Sequence, residues 1–402
     1  MSCRSCNSAK LSVILDLGTQ PWCNDFLSEE RLGKEEKYPL RLCICDTCEL
    51  LQLDHTVSKE TMFGDHQYLS GMTATLIDHF YGIAAECVEQ FNLGDGDLIV
   101  DIGGNDGSQL LQFKKLGIDS VVNVECASRV SELSQNAGVH TINDYFNFET
   151  ADQHFGAESV KLFNAAGVFF HLEELHSVVR GIKHTLKRDG VLVIQFMYAG
   201  SMIDNNNFDT IYHEHLCYYT LRSLIKLLAP YNLEVFDAHL SPIHSGSVIA
   251  KITHIGSPLN IKSARFLSLL EMDRQYTRPS VEKFAQRVEE TKNNLREFLI
   301  GLKSSGKTIY AYGAPAKGNT LLNYFNIDNT LIDKAVEINE LKIGHYLPQS
   351  HIPIVKETKE DIPDYYLLLS HNFAEEIIKK NQDVIASGTK FIIPFPTIEV
   401  VG

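Results

Sequence analysis

The sequence predicts an α/β protein in three parts: a small cysteine-rich N-terminal module, a central doubly wound domain, and a second α/β lobe. Three observations carry this expectation. Six of nine cysteines fall within the first 48 of 402 residues. From Asp97 to Phe196 short apolar runs alternate with amphipathic helical patterns, the signature of a parallel sheet covered by helices. Beyond a long charged helical stretch, a further strand–turn–helix unit starts at Lys307. With 44% apolar residues the chain can build two or three cores. The expected boundaries are 1–66 for the module, 67–256 for the central domain and 257–402 for the last lobe.

In the module, Cys3-x2-Cys6 and Cys45-x2-Cys48 form two knuckle pairs 38 residues apart, and each can set two thiolates on one tetrahedral ion. The cysteine count is odd and the N-terminus lacks the apolar run of a signal segment. A cytoplasmic, reducing setting is therefore expected, in which thiols stay available for metal. The expected cofactor is one structural Zn2+ on Cys3, Cys6, Cys45 and Cys48, with Cys43 competing for the place of Cys45. Four thiolates leave no open position, so this metal supports a fold rather than a reaction. Between the pairs, Leu11 to Leu17 reads as a strand.

The central domain opens with a helix between Tyr68 and Gln90, in which Leu76, Phe80, Ile83 and Cys87 recur at helical spacing. Asp97-Leu-Ile-Val-Asp101-Ile-Gly103-Gly104-Asn-Asp106-Gly107-Ser-Gln-Leu-Leu is a buried strand that runs into a glycine turn and a helix. Ser120 to Glu125, Val139 to Asp144, Val160 to Asn164 and Val191 to Phe196 supply four more strands. A helix is expected from Leu172 to about Leu186, a turn at Asp189-Gly190, and a closing hairpin from Leu233 to Ala238 and Ser247 to Ile252. Ser263 to Leu302 reads as one long helix or a helical pair. Strands at Lys334 to Val336, Tyr365 to Leu369 and Lys390 to Ile393 then complete the C-terminal lobe with the unit that begins at Lys307.

The first glycine loop lacks the full G-x-G-x-x-G pattern of a dinucleotide site. Asp101 and Asp106 beside it would repel a pyrophosphate and suit a ligand carrying positive charge. Glu125, 24 residues after Asp101, ends the next strand, where a carboxylate can accept from both ribose hydroxyls. S-adenosylmethionine combines a sulfonium, an ammonium and a ribose without any phosphate. Its expected site is Asp101, Gly103, Gly104, Asp106, Gly107 and Glu125, with Asn164 beside the loop and Asp144 toward the adenine amino group. The central part then reads as a Rossmann-like class I methyltransferase domain.

After the fifth strand comes Phe208-Asp209-Thr-Ile-Tyr212-His213-Glu214-His215-Leu-Cys-Tyr-Tyr219. Polar groups this dense beside the cofactor edge of a sheet suggest acid/base chemistry. A metal on His213 and His215, which would share one face of a strand, is the weaker rival because no third ligand lies nearby in sequence.

At this point the sequence closely resembles the sugar-nucleotide C-methyltransferases that make branched-chain deoxysugars. The shared pieces are the two cysteine knuckles, Phe63-Gly64 before Tyr68, the Asp101 loop, Asn164 to His171, and Asp209-Thr-Ile-Tyr-His-Glu-His215. They continue with His244-Ser-Gly-Ser247, Gly313-Ala-Pro-Ala-Lys-Gly318, and Gly344-x-x-x-Pro348 leading to Ile352-Pro353. The resemblance implies a zinc module, a methyltransferase domain, and a C-terminal Rossmann-like domain that helps bind a nucleotide-linked 4-keto sugar, with methyl transfer to carbon, typically C3. It casts His215 as general base and Tyr212, Glu214, His171 and Tyr68 as lining the sugar pocket. On this basis neutral His215, oriented or tuned by Glu214, takes the C3 proton. Tyr212 and His171 donate to the O4 enolate, and Tyr68 positions the sugar. The Gly313 to Gly318 turn, with Lys317 and Asn319 at a helix start, is expected to hold the diphosphate or close over the substrate. His244 and Ser247 are further candidates for contact with sugar or phosphate. The nucleotide, thymidine or guanosine diphosphate, is left open.

Composition narrows the partners. Thirty-six Lys+Arg against 51 Asp+Glu give net −15, which argues against a nucleic-acid polymer, and no run approaches the ~18 apolar residues of a membrane span. A monomer or weak homo-oligomer is expected. Two other functions stay open at this level: methyl transfer to oxygen or nitrogen of a small molecule, and a non-catalytic zinc and nucleotide-sugar-binding scaffold.

Overall fold

A computed structural model describes residues 2–63, 69–243, 246–358 and 360–402. The N-terminal sheet contains β1 (Leu11–Pro21), β2 (Lys37–Cys45) and β3 (Leu51–Leu53), all antiparallel, with Leu15, Leu17, Leu40, Leu42, Leu51 and Leu53 turned inward. β1 runs four residues beyond its expected end at Leu17. Its fourth strand, Cys217–Tyr218, comes from the central domain and pairs with β3 at Leu51↔Tyr218 and Gln52↔Cys217. The module is thus joined to the chain immediately after His215.

The central sheet is built from β4 (Leu98–Ile102), β5 (Val121–Val124), β6 (His140–Ile142), β7 (Val160–Ala166) and β8 (Leu186–Met197). With Cys217–Tyr218 as β9, the hairpin β10 (Leu233–Ser241) and β11 (Ser247–His254) completes it in the order β10-β11-β8-β7-β4-β5-β6. β4 to β8 run parallel, and β11 lies antiparallel on β8. The strand order reverses at β4, which sits between β5 and β7. The crevice beyond the carboxyl ends of β4 and β7 is therefore where an open α/β sheet binds ligands. The helix Ala74–Phe91 buries Leu76, Phe80, Ile83 and Cys87 as its spacing predicts.

Two local expectations need correction. Asp189-Gly190 lie inside β8, because the pairing with β7 jumps from Val160↔Leu186 to Leu162↔Val191 and this bulge absorbs the turn. The helix expected from Leu172 runs Leu175–Thr185, which leaves His171 in the preceding turn.

Ser263 to Leu302 resolves into a pair, Ala264–Asp273 and Arg278–Ser304, with Pro279 at the start of the second helix, where its missing N–H has no helical partner to lose. The last sheet contains β12 (Ile309–Tyr312), β13 (Lys334–Glu337), β14 (Ile354–Lys356), β15 (Tyr365–Leu368), β16 (Lys390–Ile393) and β17 (Glu399–Val401). Its order is β14-β13-β12-β15-β16-β17, parallel except for β17. The three-residue strands β14 and β17 were too short to predict. Here the order reverses at β12, so the second crevice lies beyond β12 and β15. The module also touches this lobe: Leu27 bridges Tyr346, and His351 Nε2 lies 2.9 Å from Glu35 Oε1. Among the described residues no helix is long and apolar enough to cross a membrane.

Candidate active site

The four predicted thiolates come together. One sulfur from each of Cys3, Cys6, Cys45 and Cys48 lies within 4.8 Å of the others, and this is the one metal-competent group among the described residues. Cys43, on β2, is outside it. The Cys48 thiol beside Cys3 draws the Cys3 thiol down to about 5, against the opposing effect of burial. A mostly buried, all-sulfur set of four fits a closed structural zinc site. His213 and His215 belong to no metal-competent group among the described residues. They lie in a turn, and His213 Nε2 donates to the Tyr38 carbonyl at 3.3 Å. Burial brings the His213 pKa down to about 4.

The first glycine loop occupies the crevice at β4. Gly103 and Gly107 take φ +63° and +78°, and a Cβ on Gly104 would sit 2.5 Å from Asn123 Oδ1 and 2.8 Å from the Asp101 carboxylate. Its amides are already engaged. Gly104 N donates to Asn123 Oδ1, Asn105 N to Glu125 Oε2, Gly103 N to the Val124 carbonyl and Gly107 N to the Gly104 carbonyl. A turn whose N–H groups point into the protein is no phosphate cradle, and this fits a phosphate-free, cationic cofactor. Glu125 ends β5 with its carboxylate also accepting from Ala127 N, and burial raises its pKa.

Asp101 lies beneath the loop rather than facing the crevice. It is 2% exposed, Asn164 Nδ2 donates to it at 2.7 Å, and burial pushes it up to about 7. Asn164 also accepts from Gln109 and is a brace for Asp101. Asp106 accepts from Ser108 N and Gly71 N, which ties the loop to the start of the Ala74 helix. Asp144 is exposed and accepts from its own neighbour Tyr145 N and from Thr150 Oγ1.

On the β7 side, His171 and His215 stand with ring centroids 5.0 Å apart, Phe170 packed against both, and the Tyr212 ring 3.8 Å from His215. His215 Nδ1 lies 2.8 Å from the Thr210 carbonyl. A carbonyl only accepts, so Nδ1 carries the proton and neutral His215 has its lone pair on Nε2. His171 Nδ1 likewise donates to the Glu214 carbonyl at 2.6 Å, so its Nε2 can donate only when the ring is protonated. Burial, then the Glu214 charge, raises the Tyr212 pKa well above the phenol's usual range, which keeps its hydroxyl a donor.

The expectation that Glu214 orients His215 is corrected. The Glu214 carboxylate, raised by burial, accepts from Trp22 Nε1 and Asn24 Nδ2, both at 2.6 Å, so the zinc module holds it. Thr210 supplies the orienting acceptor. Tyr68 and His244 lie outside the described residues.

The C-terminal candidates are turned toward the protein. Lys317 Nζ donates to Asn372 Oδ1 at 2.5 Å and faces Asp209 at 3.9 Å. Asn319 Nδ2 donates to the Cys23 carbonyl at 2.6 Å, a link between lobe and module. Ser247 accepts from Gln195 and is 1% exposed. Trp22, Asn24, Thr210 and His371 were missed. Only Thr210 sits inside a legible motif, and its contribution is a backbone atom. A cleft of about 570 Å3 lined by Glu86, Glu89, Asp237 and Arg265 contains none of these residues and is an open groove.

A glycine loop that shuns phosphate, a strand-end acid and an all-cysteine site define a zinc-containing, S-adenosylmethionine-dependent methyltransferase. Family models match in the same order: a putative zinc binding domain over residues 3–63, a methyltransferase domain over 80–238, and a C-methyltransferase C-terminal domain over 242–396. The chain is 31% identical over 405 residues to the C-methyltransferase NovU of Streptomyces niveus, an alignment covering 99% of this chain and 96% of that one. It belongs to the C-methyltransferase family. Among solved structures, it is similar to a geranyl diphosphate C-methyltransferase from Streptomyces coelicolor A3(2) at 10% identity, with TM-score 0.35, over 49% of this chain and 93% of that one. A possible histamine N-methyltransferase from Thermotoga maritima aligns at 17% identity, with TM-score 0.34, over 44% and 91%.

Proposed function

We propose that the enzyme methylates the carbon beside the ketone, typically C3, of a nucleotide-linked 4-keto deoxysugar, a step in making branched-chain sugars in the cytoplasm. The observation that carries this reading is His215, whose Nδ1–H is engaged by the Thr210 carbonyl, beside Tyr212 and His171. A ketone makes the neighbouring C–H acidic enough for an imidazole whose ordinary pKa is near 6.5. In this reading His215 Nε2 takes that proton. Its imidazolium is stabilised by the Thr210 carbonyl, and the Tyr212 hydroxyl donates to the enolate oxygen, a contribution of roughly 3 kcal/mol for one such donor. His171 assists as a donor only when protonated. S-adenosylmethionine, held by the Gly103 to Gly107 turn and Glu125, supplies the electrophilic methyl group.

The C-terminal lobe has a matching strand-end acid. Glu337 closes β13 and accepts from Ala314 N, Ile338 N and Asn339 N, as Glu125 closes β5 and accepts from Asn105 N and Ala127 N. Ile338 beside it is 71% exposed. A ribose on Glu337 and a base on Ile338 would suit the nucleoside end of the substrate. The test is turnover of thymidine- and guanosine-diphosphate-linked 4-keto sugars with labelled S-adenosylmethionine in D2O. The reading expects label on carbon and deuterium exchange at the position next to the ketone. Label on oxygen or nitrogen, or no exchange and no turnover with any such sugar, would contradict it.

A further inference from the structure

We infer that His371 and Lys317 of the C-terminal lobe are positioning residues for His215, acting through the buried carboxylate of Asp209 on the turn whose carbonyl holds the imidazole. The inference rests on the reading of His215 as base and names what keeps that base in its working tautomer.

The contacts form one continuous chain. Phe208–Thr210 is a single 3-10 turn. Its Phe208 stacks on Phe325 at 4.9 Å and meets Tyr324 and Phe395 edge-on, all from the C-terminal lobe. Asp209 is fully buried. Its Oδ2 accepts from His371 Nε2 at 2.7 Å and faces Lys317 Nζ at 3.9 Å, while Oδ1 has no hydrogen-bond partner among the described residues. Among the described residues, its ionic contacts therefore come from the C-terminal lobe. The next peptide carries the Thr210 carbonyl, which accepts from His215 Nδ1 at 2.8 Å and from the Tyr218 hydroxyl at 3.5 Å. Lys317 lies in the first turn of the helix Ala316–Tyr324 after β12, and His371 opens the 3-10 turn His371–Phe373 after β15, at the reversal point where such a sheet would hold a ligand. The anion there is the protein's own carboxylate.

Burial would raise the Asp209 carboxyl, but His371 and Lys317 bring it below its ordinary value. Among the described residues, the titratable groups facing His215 include His171, Tyr212 and Tyr218, and Glu214 precedes it with its carboxylate turned to Trp22 and Asn24. The Asp209 link ties the Thr210 peptide by charge to the C-terminal lobe.

The test is the 15N imidazole spectrum of His215 in the full-length zinc protein, together with the pH profile of kcat/KM. In the wild type, Nδ1 is protonated in the neutral ring. His371→Phe should let the ring revert toward the Nε2–H tautomer and lower kcat roughly ten- to a hundredfold. It should also move the acid limb down by about half to one pH unit, since the imidazolium loses its acceptor. S-adenosylmethionine affinity should hold. His371→Gln, whose amide nitrogen can donate from a similar place, should restore both readouts. If His371→Phe fails to fold, Lys317→Gln serves, with a smaller shift in the same direction. An unchanged His215 tautomer in the folded variant, or His371→Gln as impaired as His371→Phe, would overturn the inference. If His215→Ala retains full rate while the tautomer responds as expected, the base assignment fails and the positioning stands.

Discussion

The two doubly wound lobes repeat one supersecondary plan and put it to different use. In each, a strand at the reversal point (β4, β12) runs into a glycine turn and a helix, and an acid at the end of the next strand (Glu125, Glu337) accepts from that turn's backbone N–H groups. What sits beneath the turn differs. The central lobe has a carboxylate with no cation partner among the described residues, Asp101, which burial pushes up to about 7. The C-terminal lobe has a cation, Lys317, facing the borrowed carboxylate Asp209, whose pKa is lowered. The same backbone turn therefore presents a cation-tolerant crevice in one lobe and an internal ion pair in the other. The side chains beneath the glycines, rather than the glycines themselves, decide what each turn can hold.

The largest effect should come from the part that ties both lobes together. Cys48→Ser, or strong chelation, should remove one zinc per chain. Structural zinc sites are worth roughly 10 kcal/mol or more in small modules, so the module should unfold by circular dichroism. Activity should fall by more than a hundredfold, because Trp22 and Asn24 would no longer hold Glu214. A variant that loses its zinc but keeps its melting temperature and rate would break the link between the module and the site.

The two acids should respond to pH with opposite sign. Folded Asp101 keeps its proton from about pH 4 to about pH 7, while the unfolded chain has lost it, so this group lowers stability as pH rises through that window. Asp101→Asn should flatten that slope, a difference of about 2–4 kcal/mol between pH 5 and pH 8 by urea unfolding. Asp209, with its folded pKa lowered, contributes stability above about pH 4 that is lost on acidification. Asp209→Asn should flatten only that acid limb. Matching slopes in the two variants would erase the contrast between the lobes.

Gly104→Ala places a Cβ 2.5 Å from Asn123 Oδ1 and should weaken S-adenosylmethionine binding about a hundredfold by calorimetry. Gly318→Ala, whose Cβ would meet Leu369 at 3.0 Å, should leave it unchanged. The smallest effect is expected at Glu337→Gln, about a tenfold rise in KM for the nucleotide sugar, consistent with loss of one charge-assisted hydrogen bond, and an unaltered thermal shift with S-adenosylmethionine.

Features carried by spacing were legible in the sequence. The paired knuckles identify four ligands, and the fold brings their sulfurs within 4.8 Å. The alternation of apolar strands and helices gives the central sheet, and Asp209 to His215 marks the candidate site. What stayed hidden has no local pattern. The His371–Asp209 pair spans 162 residues, and Trp22 and Asn24 reach Glu214 across about 190. The orienting group on His215 is a carbonyl, which every residue carries. Lys317 and Asn319 look like ligand donors because a cation and an amide at a helix start attract anions, and the packed structure adds that Lys317 Nζ and Asn319 Nδ2 each also have a protein acceptor.

The central claim is that His215 is the base, and single-turnover methyl transfer by His215→Ala tests it most directly, with zinc content and S-adenosylmethionine affinity checked against wild type. With both of those intact, the rate of carbon methylation should fall about 10²- to 10⁴-fold and the loss of solvent-exchangeable hydrogen next to the ketone should stop. A rate within a few-fold of wild type would contradict the claim.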